Sequence, residues 1–140
     1  MLLKKYFYHF VVIFIVLSFV FSPEIFGIQI EKKVVFPKGK NSVSYSGRLP
    51  KESGDYNYYL LRGKKNQRLS VTLKTTDSDA YIQIYETKQE LGPDQDLISG
   101  EGNNNEWSGK LPVSSEYSIQ VYRGENSSSR ASYTIEISLK

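Results

Sequence analysis

Residues 102–130, GNNNEWSGKLPVSSEYSIQVYRGENSSSR, are the stretch that decides how this chain folds. They hold the single tryptophan, Trp107, and two segments of alternating polar and apolar residues, 106–111 and 116–123. Alternation with a period of two is typical of a β-strand that buries one face. Pro112 lies between the segments, and proline cannot donate to a strand ladder. The stretch therefore predicts a strand, a loop and a second strand.

The same alternation continues on both sides of this stretch, and after residue 27 no segment shows sustained helical periodicity. The predicted strands are 31–36, 42–49, 55–62, 69–74, 80–86, 97–100, 106–111, 116–123 and 131–139. Turns rich in Gly, Pro, Asn and Ser join them, and a longer loop covers 88–96. Eight or nine strands at this spacing predict an all-β fold, an antiparallel β-sandwich, with a partly closed barrel as the alternative.

One part of the sequence is echoed in another. Residues 46–50, SGRLP, recur as SGKLP at 108–112, and each copy is followed by an acidic residue and a tyrosine, at 55–56 and at 116–117. Arg62-Gly63 and Arg123-Gly124 extend the similarity. A pseudo-symmetric pair of strand-turn-strand units, one in each half of the sandwich, would produce this echo. Turn chemistry that recurs by convergence would produce it too.

The first 27 residues predict a secretory signal peptide. Lys4 and Lys5 precede an apolar run from Phe10 to Phe21, and Gly27 lies near the expected cleavage site. The run is shorter than the roughly 20 apolar residues that span a membrane, which favours cleavage over retention as an anchor. We expect residues 28–140 to form a single β-sandwich domain, periplasmic or secreted, that meets a membrane only through the signal segment before cleavage.

The composition excludes several kinds of enzyme. There is no cysteine, and the single histidine, His9, lies in the signal segment. Without either residue, the mature chain cannot form Ser-His-Asp or Cys-His catalytic sites or the usual zinc and copper sites. The acidic pairs Asp77/Asp79 and Asp94/Asp96 could be Ca²⁺ ligands, but neither continues into a loop with a distal glutamate, which favours ordinary turns. We predict no catalytic residues, no cofactor and no metal site.

The charge of the chain is close to balanced. The formal net charge is +3, and no run of Lys and Arg has the density that nucleic-acid binding requires. We therefore expect no nucleic-acid partner.

A protein-binding site is the remaining candidate. The alternation directs Tyr117 and Tyr133 into the core and Tyr122 outward. Exposed tyrosine beside arginine is typical of the residues that dominate protein interfaces. Arg123 and Arg130 bracket the polar loop 124–129, and two guanidinium groups suit an acidic partner. A solvated hairpin is the alternative for this loop.

Several short segments together resemble a known family. They are FPKGK from Phe36, LSVTL from Leu69, YIQI from Tyr81, ISG from Ile98, and WSGKLP from Trp107 followed by YSIQVY from Tyr117. In order and spacing they are similar to the periplasmic inhibitors of g-type lysozyme. The family has a longer, arginine-rich segment where this chain has 124–129.

This resemblance implies a small periplasmic β-sandwich whose loops enter the acidic substrate cleft of a g-type lysozyme. By position it assigns partner binding to Tyr122, Arg123 and Arg130, with Ser99 and Gly100 in a neighbouring loop. The chain also resembles the pre-peptidase C-terminal domains, which are β-sandwiches with an Asp-Tyr pair before a strand. That second resemblance implies a non-catalytic envelope or secreted module that binds carbohydrate or protein.

Overall fold

The structure is a computed structural model that describes residues 30–87, 100–126 and 130–140. Within these ranges the chain forms strands and no helix, and so no helix that could cross a membrane. The strands are β1 (Glu31–Lys33), β2 (Ser42–Arg48), β3 (Tyr56–Gly63), β4 (Arg68–Thr75), β5 (Tyr81–Glu86), β6 (Glu101–Asn103), β7 (Glu106–Lys110), β8 (Ser115–Tyr122) and β9 (Ser132–Leu139).

The strands form two sheets that pack face to face. One sheet has four strands in the order β1-β3-β8-β5, and the other has five in the order β2-β9-β4-β7-β6. Each pair of neighbouring strands is antiparallel, except that β1 runs parallel to β3. The predicted all-β sandwich is confirmed.

The core lies between the sheets and follows from the period of two in each strand. In β8 and β9 the apolar residues at alternate positions all face inward, and Tyr117 and Tyr133 are 0% and 2% exposed as expected. The fully buried aliphatic side chains are Leu49, Leu61, Leu69, Val71, Ile84, Leu111, Ile119, Val121, Ile135 and Ile137.

A hydrogen-bonded group of polar side chains crosses this core. The hydroxyls of Tyr59 and Tyr133 lie 2.8 Å apart, and the amide nitrogen of Asn57 donates to the Tyr133 hydroxyl at 3.1 Å and to the carbonyl of Arg48 at 2.8 Å. The Asn57 amide oxygen accepts from the backbone of Ile30 at 3.1 Å. Burial raises the pKa of both tyrosines, so the pair stays protonated.

The two copies of the sequence echo occupy equivalent places. The segments β2-β3-β4 and β7-β8-β9 each run from the five-stranded sheet to the four-stranded sheet and back, and β2 pairs with β9 as β7 pairs with β4. The leucine after the first strand of each copy is fully buried, at Leu49 and Leu111. The Leu49 amide donates to Ala131, and the Leu111 amide donates to Gln67, which precedes β4 as Ala131 precedes β9. Six of the nine described strands, β2-β3-β4 and β7-β8-β9, therefore form two pseudo-symmetric halves.

The turn between β6 and β7 connects the two sheets. The carbonyl of Asn105 accepts from the Leu73 amide in the five-stranded sheet at 2.7 Å. The carbonyl of Asn104 accepts from the Ile82 amide in the four-stranded sheet at 2.9 Å. This turn fastens one open side of the sandwich.

The first strand is shorter than predicted. It ends at Lys33 rather than at residue 36, because only the first amide of the segment that follows, Val34, still bonds to β3, while the Val35 amide donates to the Tyr45 hydroxyl at 3.0 Å. The strand β6 was not predicted. The predicted signal segment 1–27, the loop 88–96 and residues 97–99 of a predicted strand lie outside the described residues, and Gly100 is not part of a strand.

Candidate functional site

Several connections meet at one end of the sandwich, which we call the loop end. The described parts of the loop end are residues 49–55, 76–80, 104–105, 123–126 and 130–131. These connections lie close together because the strands on either side of them end next to one another. The residue pairs at these strand ends are Arg48–Ser132, Thr75–Tyr133, Tyr56–Tyr122 and Tyr81–Tyr122. Of the predicted binding residues, Arg123 and Arg130 belong to the loop end, and Tyr122 ends the strand that leads into it.

Arg123 is bound tightly to the connection between β2 and β3. Its guanidinium donates to the carbonyls of Lys51 and, at 3.4 Å, Pro50. Its backbone amide donates to the carbonyl of Asp55 at 3.1 Å, and its own carbonyl accepts from Gly54 at 3.0 Å. Arg123 thus holds two loops of the loop end in a fixed relation.

The turn between β4 and β5 holds the other side of the Arg123 loop. The carboxylate of Asp79 accepts from the Asn126 amide at 2.6 Å, and the carboxylate of Asp77 accepts from the Asp79 amide at 2.9 Å. Gly124 is buried with its α-carbon against the Asp79 carbonyl, so that a side chain there would collide with backbone. These two carboxylates organise loops, and the described ranges contain no group of three potential metal-binding residues.

Tyr122 faces outward as predicted but is only half exposed. Its ring stacks on Tyr81 with centroids 4.9 Å apart and planes 3° apart, and it meets the ring of Tyr56 at 4.9 Å. Its hydroxyl donates to Gln120. Burial, followed by a hydrogen bond with Tyr85, raises its pKa, so the phenol is neutral at physiological pH. Tyr122 therefore belongs to a layer of rings on the outer face of the four-stranded sheet.

Arg130 is exposed and borders an open hollow of about 800 Å³ on the outer face of the five-stranded sheet. We call this the basic hollow, because its lining contains the cations Arg48, Lys74 and Arg130 and no carboxylate. Arg48 and Lys74 were not among the residues predicted to bind a partner. They are outward positions of strands far apart in sequence, and only the order β2-β9-β4 brings them to the same place.

Gly100 lies away from these residues. It precedes β6, the strand at the edge of the five-stranded sheet, and its α-carbon lies against the indole of Trp107. Trp107 is itself half-buried and packs against the core. Ser99, the other residue predicted in this loop, lies outside the described residues. The contacts of Gly100 in the described part of the chain are those of a strand edge.

Comparison with known proteins confirms the predicted resemblance at the level of structure. The chain is similar to the periplasmic inhibitor of g-type lysozyme PliG from Aeromonas hydrophila, with a TM-score of 0.65 and 25% identity over 79% of this chain and 96% of the other. PliG from Salmonella Typhimurium gives a TM-score of 0.60 and 25% identity over 79% of this chain and 98% of the other.

The second predicted resemblance holds for the fold. The pre-peptidase C-terminal domain of a Bacillus anthracis collagenase has a TM-score of 0.50 and 13% identity over 80% of this chain and 96% of the other. No protein-family profile matches the chain, and no curated protein matches it by sequence.

Proposed function

We propose that this protein is a periplasmic inhibitor of a g-type lysozyme and that it binds the enzyme through the loop end. The observation that carries the proposal is the structural similarity to two PliG inhibitors, each at 25% identity and over nearly their whole length. We further propose that residues 1–27 are removed as a signal peptide and that residues 28–140 act as one non-catalytic domain in the periplasm.

The charge that supports this choice of partner lies in the basic hollow, because the described loop end itself holds five carboxylates (Glu52, Asp55, Asp77, Asp79 and Glu125) against three cations (Lys51, Arg123 and Arg130). Glycoside hydrolases of this kind use a pair of carboxyl groups beside the scissile bond, which makes the substrate cleft acidic. The loop end carries the exposed Arg130, with Arg48 and Lys74 in the neighbouring hollow. Complementary charge across an interface accelerates association and fixes the orientation of the partners. A guanidinium group can also bind a carboxylate through two parallel hydrogen bonds.

Tyr122, Arg123 and Arg130 have different parts in the proposed complex. Arg130 is exposed and reaches the carboxylates of the enzyme. Arg123 holds loop 49–55 through its carbonyls and so shapes the surface that the enzyme meets. Tyr122 adds the edge of its ring beside Tyr81. In this proposal, Ser99 and Gly100 form a second contact with the enzyme.

Inhibition of a purified g-type lysozyme tests the proposal directly. The rate at which the enzyme clears a suspension of bacterial cell walls is measured against increasing inhibitor, with c-type and i-type lysozymes in parallel. We expect micromolar or tighter inhibition of the g-type enzyme. Arg130→Ala removes a charge that faces the partner and is expected to weaken inhibition about tenfold or more, which corresponds to roughly 1.4 kcal/mol.

Arg62→Ala is the matched control. Arg62 is an exposed arginine in β3, and in the sequence echo it corresponds to Arg123. It lies at the opposite end of the sandwich from the loop end. Its removal changes the net charge by the same amount and leaves inhibition unchanged. No inhibition of any g-type lysozyme at micromolar concentration would rule out the proposed function. An equal loss of inhibition in both variants would show that the enzyme does not bind through the loop end.

A further inference from the structure

The floor of the basic hollow is formed by outward-facing hydroxyl groups on neighbouring strands. Ser46, Thr134 and Lys74 form one row across β2, β9 and β4, and Arg48 and Ser132 form the next row. Neighbouring strands lie about 4.8 Å apart, so each row presents its side chains at regular short intervals. Thr76 and Arg130 form the wall on the side of the loop end.

Gly47 and Tyr133 make this floor rigid. They are paired across β2 and β9, and the ring of Tyr133 runs beneath Gly47, where an added Cβ would lie 2.7 Å from the ring. The Tyr133 hydroxyl is fixed in turn by Tyr59 and Asn57. The rows of polar side chains above are therefore held by the packed core.

The charged side chains that line the hollow are all cations, namely Arg48, Lys74 and Arg130. A carboxylate borders it at Glu136, which lies 3.7 Å from the Lys74 ammonium. Both side chains of this pair are exposed, at 68% and 46%, and exposed ion pairs of this type contribute little. An anionic ligand can therefore bind Lys74 in place of Glu136 with little loss of binding free energy.

The donors in the hollow suit phosphate better than carboxylate. Hydroxyls of Ser46, Thr76, Ser132 and Thr134 line the hollow with the three cations, and the Ser46 and Thr134 hydroxyls lie 3.5 Å apart and share one hydrogen bond. Together these groups still offer more donors than the two oxygens of one carboxylate can accept. A phosphate group has three acceptor oxygens and a charge of about −1.5 to −2 at pH 7. The volume of about 800 Å³ has room for more than one such group.

We infer that the basic hollow is a binding site for a ligand that carries two or more phosphate groups. Arg48 and Arg130 bind the phosphate oxygens through their guanidinium groups, the hydroxyls of the floor complete the contacts, and Lys74 neutralises the remaining charge. Because Arg130 also belongs to the proposed lysozyme surface, occupation of the hollow competes with the enzyme. Only this competition rests on the proposed function.

Titration of the purified protein with inorganic tripolyphosphate by calorimetry tests the site without any lysozyme. Ionic strength is held low and constant, because salt screens exposed charges. We expect saturable binding with one site, and binding of citrate that is at least about tenfold weaker. Amide resonances of Ser46 and Thr134 are expected to shift in NMR spectra. Citrate binding as tight as tripolyphosphate would overturn the assignment to phosphate.

A pair of double variants gives the decisive comparison. Arg48→Gln with Arg130→Gln removes two cations of the hollow. Arg68→Gln with Lys110→Gln removes two cations that lie opposite each other on β4 and β7, at the other end of the same sheet. The first is expected to lose tripolyphosphate binding by about tenfold or more and the second to keep it. Equal losses would show that the protein binds phosphate only through its overall charge and would overturn the site.

The competition is measured separately in the lysozyme assay. Tripolyphosphate is expected to weaken inhibition. The rate of the enzyme with tripolyphosphate and no inhibitor is the baseline from which inhibition is calculated. If inhibition is absent from the start, the proposed function fails while the calorimetric result still decides the hollow. If inhibition is present and tripolyphosphate binds without affecting it, the shared role of Arg130 is wrong.

Discussion

The two pseudo-symmetric halves of this sandwich share their framework and differ in the connection that leaves the central strand. In the first half, β3 and β4 are joined by a compact turn in which Gln67 and Lys64 bond to each other. In the second, β8 and β9 are joined by a longer loop held by Arg123 and Asp79. The framework is used twice for stability, and the proposed binding surface lies where the halves diverge.

The buried leucines test whether the halves are equivalent in energy as well as in position. Leu49 and Leu111 are both 0% exposed. Leu49→Ala and Leu111→Ala are each expected to lower the free energy of unfolding by about 2 to 5 kcal/mol, because each leaves a cavity in the core. Chemical denaturation measures both. Val35→Ala, at a residue that is 69% exposed, should change it by less than about 0.5 kcal/mol. A loss below about 1 kcal/mol for either leucine variant would contradict the equivalence.

The glycines at or just beyond the ends of the equivalent strands β3 and β8 lie in different surroundings in the two halves. At Gly63 an added Cβ would meet the end of the Leu111 side chain, whereas at Gly124 it would meet the backbone carbonyl of Asp79. A side chain can move aside more easily than backbone. Gly124→Ala is therefore expected to destabilise the protein by about 2 to 3 kcal/mol and Gly63→Ala by about 1 kcal/mol. Thermal or chemical unfolding decides the order, and a larger loss for Gly63→Ala would contradict it.

Substitutions of the arginines beside these glycines should show the smallest difference in unfolding free energy between the two halves. Arg123 donates to two loop carbonyls, so Arg123→Ala is expected to cost about 1 to 2 kcal/mol of unfolding free energy. Arg62 is exposed on β3, and Arg62→Ala should cost less than about 0.5 kcal/mol. Denaturation curves of the two variants provide the test. Equal, small losses would mean that the Arg123 contacts do not hold the loop end.

Local pattern was sufficient to predict most of the strands. The bounds of β2, β3, β4, β5, β7, β8 and β9 lie within one or two residues of those expected, because each strand buries one face and shows it as alternation. The three-residue strand β6 has no apolar residue to reveal it. The parallel pairing of β1 was equally invisible, because no hairpin turn sets its partner.

The candidate site was less predictable, because its contacts join distant parts of the chain. The outward direction of Tyr122 followed from the pleat, but the ring of Tyr81 that covers it comes from a strand about 40 residues away in sequence. The bonds from Arg123 to residues 50 and 51 are also long-range. Alternation shows which way a side chain points, and only the strand order shows what it meets.

The turn at Asn104 and Asn105 affects how the protein unfolds locally. Its two carbonyls hold the amides of Leu73 and Ile82, which belong to different sheets, and the chain has no disulfide that could do this instead. The Leu73 bond continues the pairing of β4 with β7 within the five-stranded sheet, so parting the two sheets on this side breaks the bond to Ile82 alone. The Ile82 amide should therefore lose protection from hydrogen exchange when this side opens, while the Leu73 amide keeps its protection.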